Sequence, residues 1–233
     1  MIKEILSVFQ SDSLMERAFE QSFEMLDITN EMFKISKKVL RESESNEFDY
    51  DINEQDSKIN KFQREVRKDV FNHLAMAGTE ELSSGMVLAS IVIDLERIGD
   101  FTKNIVEIAQ NHPQRLHAGE FEDDLIILER AVEDTFGRTI YCFKNSDEKA
   151  AFNLLKEYKW VSKKFDKKIE SLMRGEDTTL TIGSAVSLAI YLRALKRIFA
   201  HLRNVTTSVV NPFHRIGFKP KKKKKKIQEN LKA

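Results

Sequence analysis

The sequence predicts an all-α protein: two tandem three-helix bundles built from six long helices, followed by a disordered basic tail. Three observations carry this prediction. Only three prolines and eight glycines interrupt the 233 residues, so few positions break a helix. Apolar residues recur at spacings of three and four nearly throughout, the period of a helix with one buried face. With 41% hydrophobic and 32% charged residues, the chain is long enough to bury a core.

The first helix opens at Ser13, with Glu16 at the capping-box spacing that ties down free amides, and runs to about Glu44. Its inward positions include Phe19, Leu26, Met32 or Phe33, Val39 and Leu40. The acidic linker SESNEFDYD follows. A second helix, from about Asn53 to Ala77, turns Ile59, Phe62, Val66, Val70 and Leu74 inward, and Gly78 can end it in the left-handed conformation. Thr79 then caps a third helix, from about Glu80 to Asn111, which stops before Pro113 because proline disfavours helix at the preceding residue. Its seam is Leu88, Ile91, Leu95, Ile98, Thr102, Ile105 and Ala109, a narrow stripe typical of a bundle helix.

A fourth helix spans about Glu120 to Lys144, and a fifth starts at Ser146 with Asp147 and Glu148 in its first turn, where negative charge suits the helix dipole. It continues to about Arg174, with Gly175 as its stop. The sixth, from about Thr181 to Val209, buries Leu188, Leu192, Leu195, Phe199 and Leu202. Matching lengths and order predict an internal duplication with a period of roughly 100 residues. The expected units are 1–113, the first repeat, 114–216, the second, and 217–233, the Lys-rich tail.

Composition excludes several classes. The longest apolar stretch, MVLASIVI at 86–93, is far short of the roughly 20 residues of a membrane span. The opening MIKEILSVFQ has no export-signal pattern, and the lone Cys142 fits a reducing compartment as a small core residue, so a cytoplasmic protein is expected. Residues 219–233 carry a net charge of +7 and the preceding 218 residues −6. Such an acidic body argues against a nucleic-acid-binding globule. The lysine block is self-repelling and reads as a solvated tail, or as a segment attracted to an anionic membrane surface or to polyphosphate and nucleic acid. Phosphate-binding glycine loops, recognisable nucleophile contexts and the ExxH pair of di-metal bundle oxidases are absent. His73, without a second histidine at helical spacing, reads as a packing residue.

In IDLERIGDFTKNI, at 93–105, Glu96 and Asp100 lie one turn apart. At 100° per residue they point roughly 140° to 180° from the seam, toward the outside of the bundle. Like charges at this spacing destabilise an isolated helix by only about 0.2–0.5 kcal/mol. The pair therefore reads either as a solvated acidic face relieved by Lys103, or as a site for a hard cation or iron, which take several carboxylate oxygens.

The longer stretch IVIDLERIGDFTKNIVEIA closely resembles the signature helix of the PhoU family of phosphate-uptake regulators, built as two three-helix repeats with an acidic ExxxD motif. LMERAFEQSFEMLDITNEMF is similar to that family's first helix and INKFQREVRKDVFNHLA to its second, notably in PhoU-like domains of sodium/phosphate cotransporters. The resemblance covers about residues 1–210, strongly in the first half.

It implies a surface site in each repeat where acids of two adjacent helices hold a multinuclear iron or zinc cluster. In the first repeat Glu96 and Asp100 match the ExxxD pair, while Asp56 and Asn60 occupy the acidic pair of the second helix, Asn60 departing from a carboxylate. In the second repeat Ser162, Asp166, Lys196 and Ala200 fall at the corresponding places. Only Asp166 is acidic there, so a Lys196–Asp166 ion pair and no metal are expected, leaving metal to the first repeat alone.

The function implied is a non-enzymatic regulator of phosphate uptake or signalling that contacts a phosphate transporter or components of a phosphate-sensing kinase. It would be cytoplasmic, at or near the inner membrane face. A homodimer is one assembly this reading allows. An accessory subunit of a sodium- or proton-coupled phosphate carrier is the alternative, and a metal-dependent phosphohydrolase the enzymatic one.

Overall fold

A computed structural model describes residues 14–43, 50–77, 81–112 and 114–220. Ser13, most of the acidic linker, Gly78, Thr79, Pro113 and the lysine block at 221–226 lie outside the described residues. The described elements are helical throughout: α1 (Leu14–Glu42), α2 (Ile52–Ala77), α3 (Leu82–Asn111), α4 (Glu122–Asn145), α5 (Glu148–Glu157), α6 (Val161–Met173) and α7 (Ile182–Val210). Short 3-10 turns at Gly119–Phe121 and Phe213–Arg215 complete them.

Asp51 caps α2, its carboxylate accepting the amides of Asn53 and Glu54 at 3.0 Å each. Such a cap satisfies amides that have no partner within the helix. Thr181 does the same for α7, accepting from the Ser184 amide at 3.1 Å. The expected fifth helix differs in two respects. Ser146 is not its first residue: it sits in the left-handed region, φ 49°, as the C-cap of α4, and Asp147 is the N-cap, accepting from the Ala150 amide at 3.0 Å. The helix is also interrupted at Tyr158–Trp160, giving α5 and α6. Tyr158 is drawn sideways there, its hydroxyl donating to Asp134 of α4 at 2.8 Å. Gly175, at φ 66°, follows α6 as its stop.

Helices α1, α2 and α3 pack together, and α4, α5, α6 and α7 form a second group. Two seams join them. Helix α3 runs antiparallel to α7, Asp94 lying opposite His201 and Asn204 and Phe101 opposite Arg197. Helix α1 runs antiparallel to α4, with Phe23 against Phe143, Phe33 against Phe136 and Arg41 against Glu129. The buried side chains form one continuous core across both groups.

Contact with α1, α2 and α7 widens the buried face of α3 beyond the expected stripe. Val87, Val92, Asp94, Gly99 and Val106 are buried as well as the seam. Both candidates at Met32 and Phe33 are fully buried. Cys142 is a core residue whose thiol burial pushes up to about 11, which makes it a poor nucleophile. His73 pairs with Glu81 between the end of α2 and the start of α3. The chain also stays tied down past residue 217: the Gly217 amide donates to Thr207 Oγ1 at 2.7 Å, and Asn211 Nδ2 to the Phe218 carbonyl at 2.7 Å.

Candidate functional site

Asp56 and Asn60 are one turn apart on α2, and Glu96 and Asp100 one turn apart on α3. Gly99 sets how closely the two helices approach. A Cβ there would sit 3.2 Å from Ile59 Cδ1 of α2, tighter than a relaxed contact. A side chain at position 99 would therefore press on Ile59 beneath the face that holds the acids. Gly99→Val is expected to cost about 1–3 kcal/mol by overpacking, read as a shift in urea midpoint. A midpoint equal to that of the parent chain would remove this role.

The face is only partly solvated. The Glu96 side chain is 16% exposed and that of Asp100 36%, so Glu96 lies deeper than the outward position expected from the helical wheel, because α2 flanks it. Lys103 feels the charge of Asp100, as its sequence spacing suggested, but its hydrogen bond goes elsewhere. Its ammonium reaches across to Asp56 Oδ2 at 2.9 Å, and the bond to Asp56 holds the ammonium above its ordinary range. Arg97 takes the other pair, Nη1 donating to Asp100 Oδ2 at 2.9 Å and Nε lying 3.6 Å from Glu96 Oε2. Asn60 turns its amide NH2 toward Asp56, Nδ2 to Oδ2 3.2 Å.

Burial, followed by the charge of Asp100, pushes Glu96 above its ordinary value of 4.5. A carboxyl raised in the folded chain contributes stability that is complete below the unfolded value and is lost as pH rises through the folded one. Asp100→Asn removes the larger of the two charges that raise it, so the Glu96 titration followed by NMR is expected to move down toward 4.5. A Glu96 midpoint indifferent to that change would contradict the coupling.

The donor types suit a hard cation. Their present arrangement does not converge on one: among the described residues no three His, Cys, Asp or Glu side chains are grouped to hold a metal ion. Lys103 and Arg97 balance the carboxylates instead. In the second half, Lys196 of α7 and Asp166 of α6 form the ion pair expected of them. Ser162 lies one turn before Asp166 and Ala200 one turn after Lys196.

One carboxylate of the stretch was given no role by the sequence reading. Asp94, only 9% exposed, accepts from Asn204 Nδ2 at 2.8 Å and lies 2.7 Å from His201 Nδ1. It joins α3 to α7 and takes no part in the Glu96 face. The local signal was its position beside the apolar seam, where a carboxylate needs a partner.

The four first-repeat residues fall inside a segment, residues 23–109, that matches the PhoU domain as a protein family. The chain carries a PhoU domain. The match takes in most of α1 and all of α2, and extends nearly to the end of α3. Over the whole fold the chain is similar to PhoU from Pseudomonas aeruginosa, with a TM-score of 0.75 at 20% identity, covering 84% of this chain and 95% of that one. It is also similar to the phosphate transport system regulatory protein PhoU from Streptococcus pneumoniae, with a TM-score of 0.64 at 14% identity, covering 84% and 91%. No curated protein matches it in sequence. The likeness in fold thus extends into the second half, where Lys196 and Asp166 form an ion pair.

Proposed function

We propose that this chain is a non-enzymatic regulator of phosphate uptake or phosphate signalling that works by contact with a phosphate transporter or its sensor. The observation that carries the reading is the PhoU domain at residues 23–109, with the candidate acids Asp56, Glu96 and Asp100 inside it. The likeness to a phosphate transport system regulatory protein supports the same reading. No helix among the described residues is long and apolar enough to cross a membrane, so the transporter contact would be peripheral, on the cytoplasmic side. The basic tail, with its run of lysines, would add attraction to anionic lipid of about 1 kcal/mol per lysine near the surface.

The contact face we assign is the α2–α3 surface. Asp56, Glu96 and Asp100 supply its charge, Lys103 and Arg97 set how much of that charge is free, and Glu96 stays partly desolvated. Iron or zinc binding by Asp56, Asn60, Glu96 and Asp100 is part of the proposal for this face only. Lys103 and Arg97 now neutralise its carboxylates, so a metal must compete with them, and no step of the mechanism passes through it. Lys103→Met is expected to raise the metal bound per chain in elemental analysis. Absence of metal from both parent and variant would remove it from the reading.

The functional test is phosphate uptake in cells that depend on this chain, with co-purification from the same culture. Asp100→Ala is expected to change uptake several-fold while leaving the chain folded, and a transporter or sensor component is expected to co-purify. Recovery of a sodium- or proton-coupled carrier would make the chain its accessory subunit. Unchanged uptake together with no co-purifying component rejects the regulator, and phosphoester turnover abolished in Asp100→Ala would replace it by an enzyme.

A further inference from the structure

A second site lies in the other half of the molecule. Where α5 breaks off before α6, a cavity of about 390 Å³ opens against α7 and the segment that follows it. Phe152 and Leu155 form an apolar wall, and four cations surround it: Lys156, Lys159, Arg203 and Lys219. The volume falls within the range of small-molecule sites.

The charges are unbalanced. None of the four cations has a carboxylate partner among the described residues: the adjacent acid, Glu157, is engaged by Arg138 at 2.8 Å. Arg203 is partly buried and lies over the Phe199 ring, 5.7 Å from its centroid. Desolvation holds its guanidinium below the ordinary range, and no acid offsets that effect. Arg41, the guanidinium buried between the two halves, is by contrast paired with Glu129 and Glu122. The fourth cation is also held in place, since Arg215 Nη2 donates to the Lys219 carbonyl at 2.9 Å beside the Gly217 and Phe218 tethers.

We infer that this cavity binds a phosphorylated small molecule, its phosphates on Arg203 and the three lysines and its apolar or aromatic body against Phe152 and Leu155. A guanidinium offers planar paired donors that match phosphate oxygens, and lysines add point charge. Several cations without counter-charge call for an anion carrying more than one negative charge. An apolar wall gives no gain to inorganic phosphate but does to a nucleotide or to the glycerol end of a phospholipid headgroup. Both sources present the same chemistry.

The test uses the full chain at physiological ionic strength, with calorimetric titration of ATP and of inorganic phosphate. Flotation with phosphatidylcholine vesicles, with and without phosphatidic acid, forms the second arm. ATP is expected to bind more tightly than inorganic phosphate, and Arg203→Gln to weaken it about tenfold, the loss of one charge-assisted hydrogen bond. Lys156→Gln, at an exposed position, is expected to weaken it a few-fold and guards against misfolding of the Arg203 variant.

Glutamine at the six lysines of 221–226 separates the cavity from the tail and should leave most of the affinity intact. Arg203-dependent binding to phosphatidic acid vesicles without binding of ATP assigns the phosphate to a lipid. The inference is overturned if neither probe binds, if both single variants bind as the parent does, if inorganic phosphate binds as tightly as ATP, or if the tail lysines carry all the affinity.

Discussion

Replacing Arg41 by alanine is expected to destabilise the whole chain by about 3–5 kcal/mol, the range for stripping one partner from a buried ion pair. Arg41 is 4% exposed and sits where the two halves meet. Its Nε donates to Glu129 Oε1 at 2.8 Å, Nη1 donates to the Leu116 carbonyl, and Nη2 pairs with Glu122. Tyr191 of α7, fully buried, donates its hydroxyl to the same Glu129 oxygen at 2.7 Å. Without the guanidinium, Glu129 is left charged in the core with one hydrogen bond, and the Leu116 carbonyl loses its donor. The difference is read from urea unfolding by linear extrapolation.

The pH dependence of that loss has a definite sign. Burial pushes Glu129 above its ordinary 4.5 even with Arg41 present. Without Arg41 the carboxyl is raised further, and a raised group favours the folded state at low pH and loses that contribution as pH rises through its folded value. The gap between variant and parent should therefore be widest near neutrality and narrow on acidification. The double variant R41M/E129L, which removes both charges, should recover much of the loss. A single-variant loss under about 1 kcal/mol would show that the network is not the buried pair its geometry describes.

Phe136→Ala is expected to cost about 3–5 kcal/mol, as for other large aromatic truncations in a closed core. Phe136 of α4 stacks on Phe33 of α1 with ring centroids 5.4 Å apart, and both are fully buried. The cavity would open between the two repeats rather than inside either. We therefore expect residues 1–113 and 114–216 to melt as one unit. Trp160 is the only tryptophan and reports from the second half, whereas far-UV circular dichroism reports from every helix. Coincident curves for the two probes, both shifted by Phe136→Ala, are the expected result. A tryptophan transition that ignores the substitution, or one separate from the helical signal, would make the repeats independent.

Much of the fold was legible because helices declare themselves locally. The seam of α3 is buried as its period required, and Gly175 stops α6 where its chemistry suggested. The interruption at Tyr158–Trp160 was not legible, since no proline or glycine marks it, and Tyr158 there donates its hydroxyl to Asp134, a partner 24 residues away. The candidate site was half legible. Glu96 and Asp100 were found by spacing and motif, but their counter-charges were assigned to Lys103 alone, three residues downstream of Asp100.

By itself the sequence determined most of the helical segments, which side of each turns inward, and that carboxylates lie at 56, 96 and 100 in the first half but only at 166 among the corresponding places of the second. The tertiary structure decided what those residues meet: Lys103 on Asp56, Arg97 on Asp100, Asp94 on Asn204, Arg41 between Glu122 and Glu129, and Arg203 with no acid among the described residues. The physical reason is that periodicity describes a helix about its own axis. A charge partner 47 or 110 residues away leaves no mark on that period, and is settled only when helices dock and desolvation makes each pairing count.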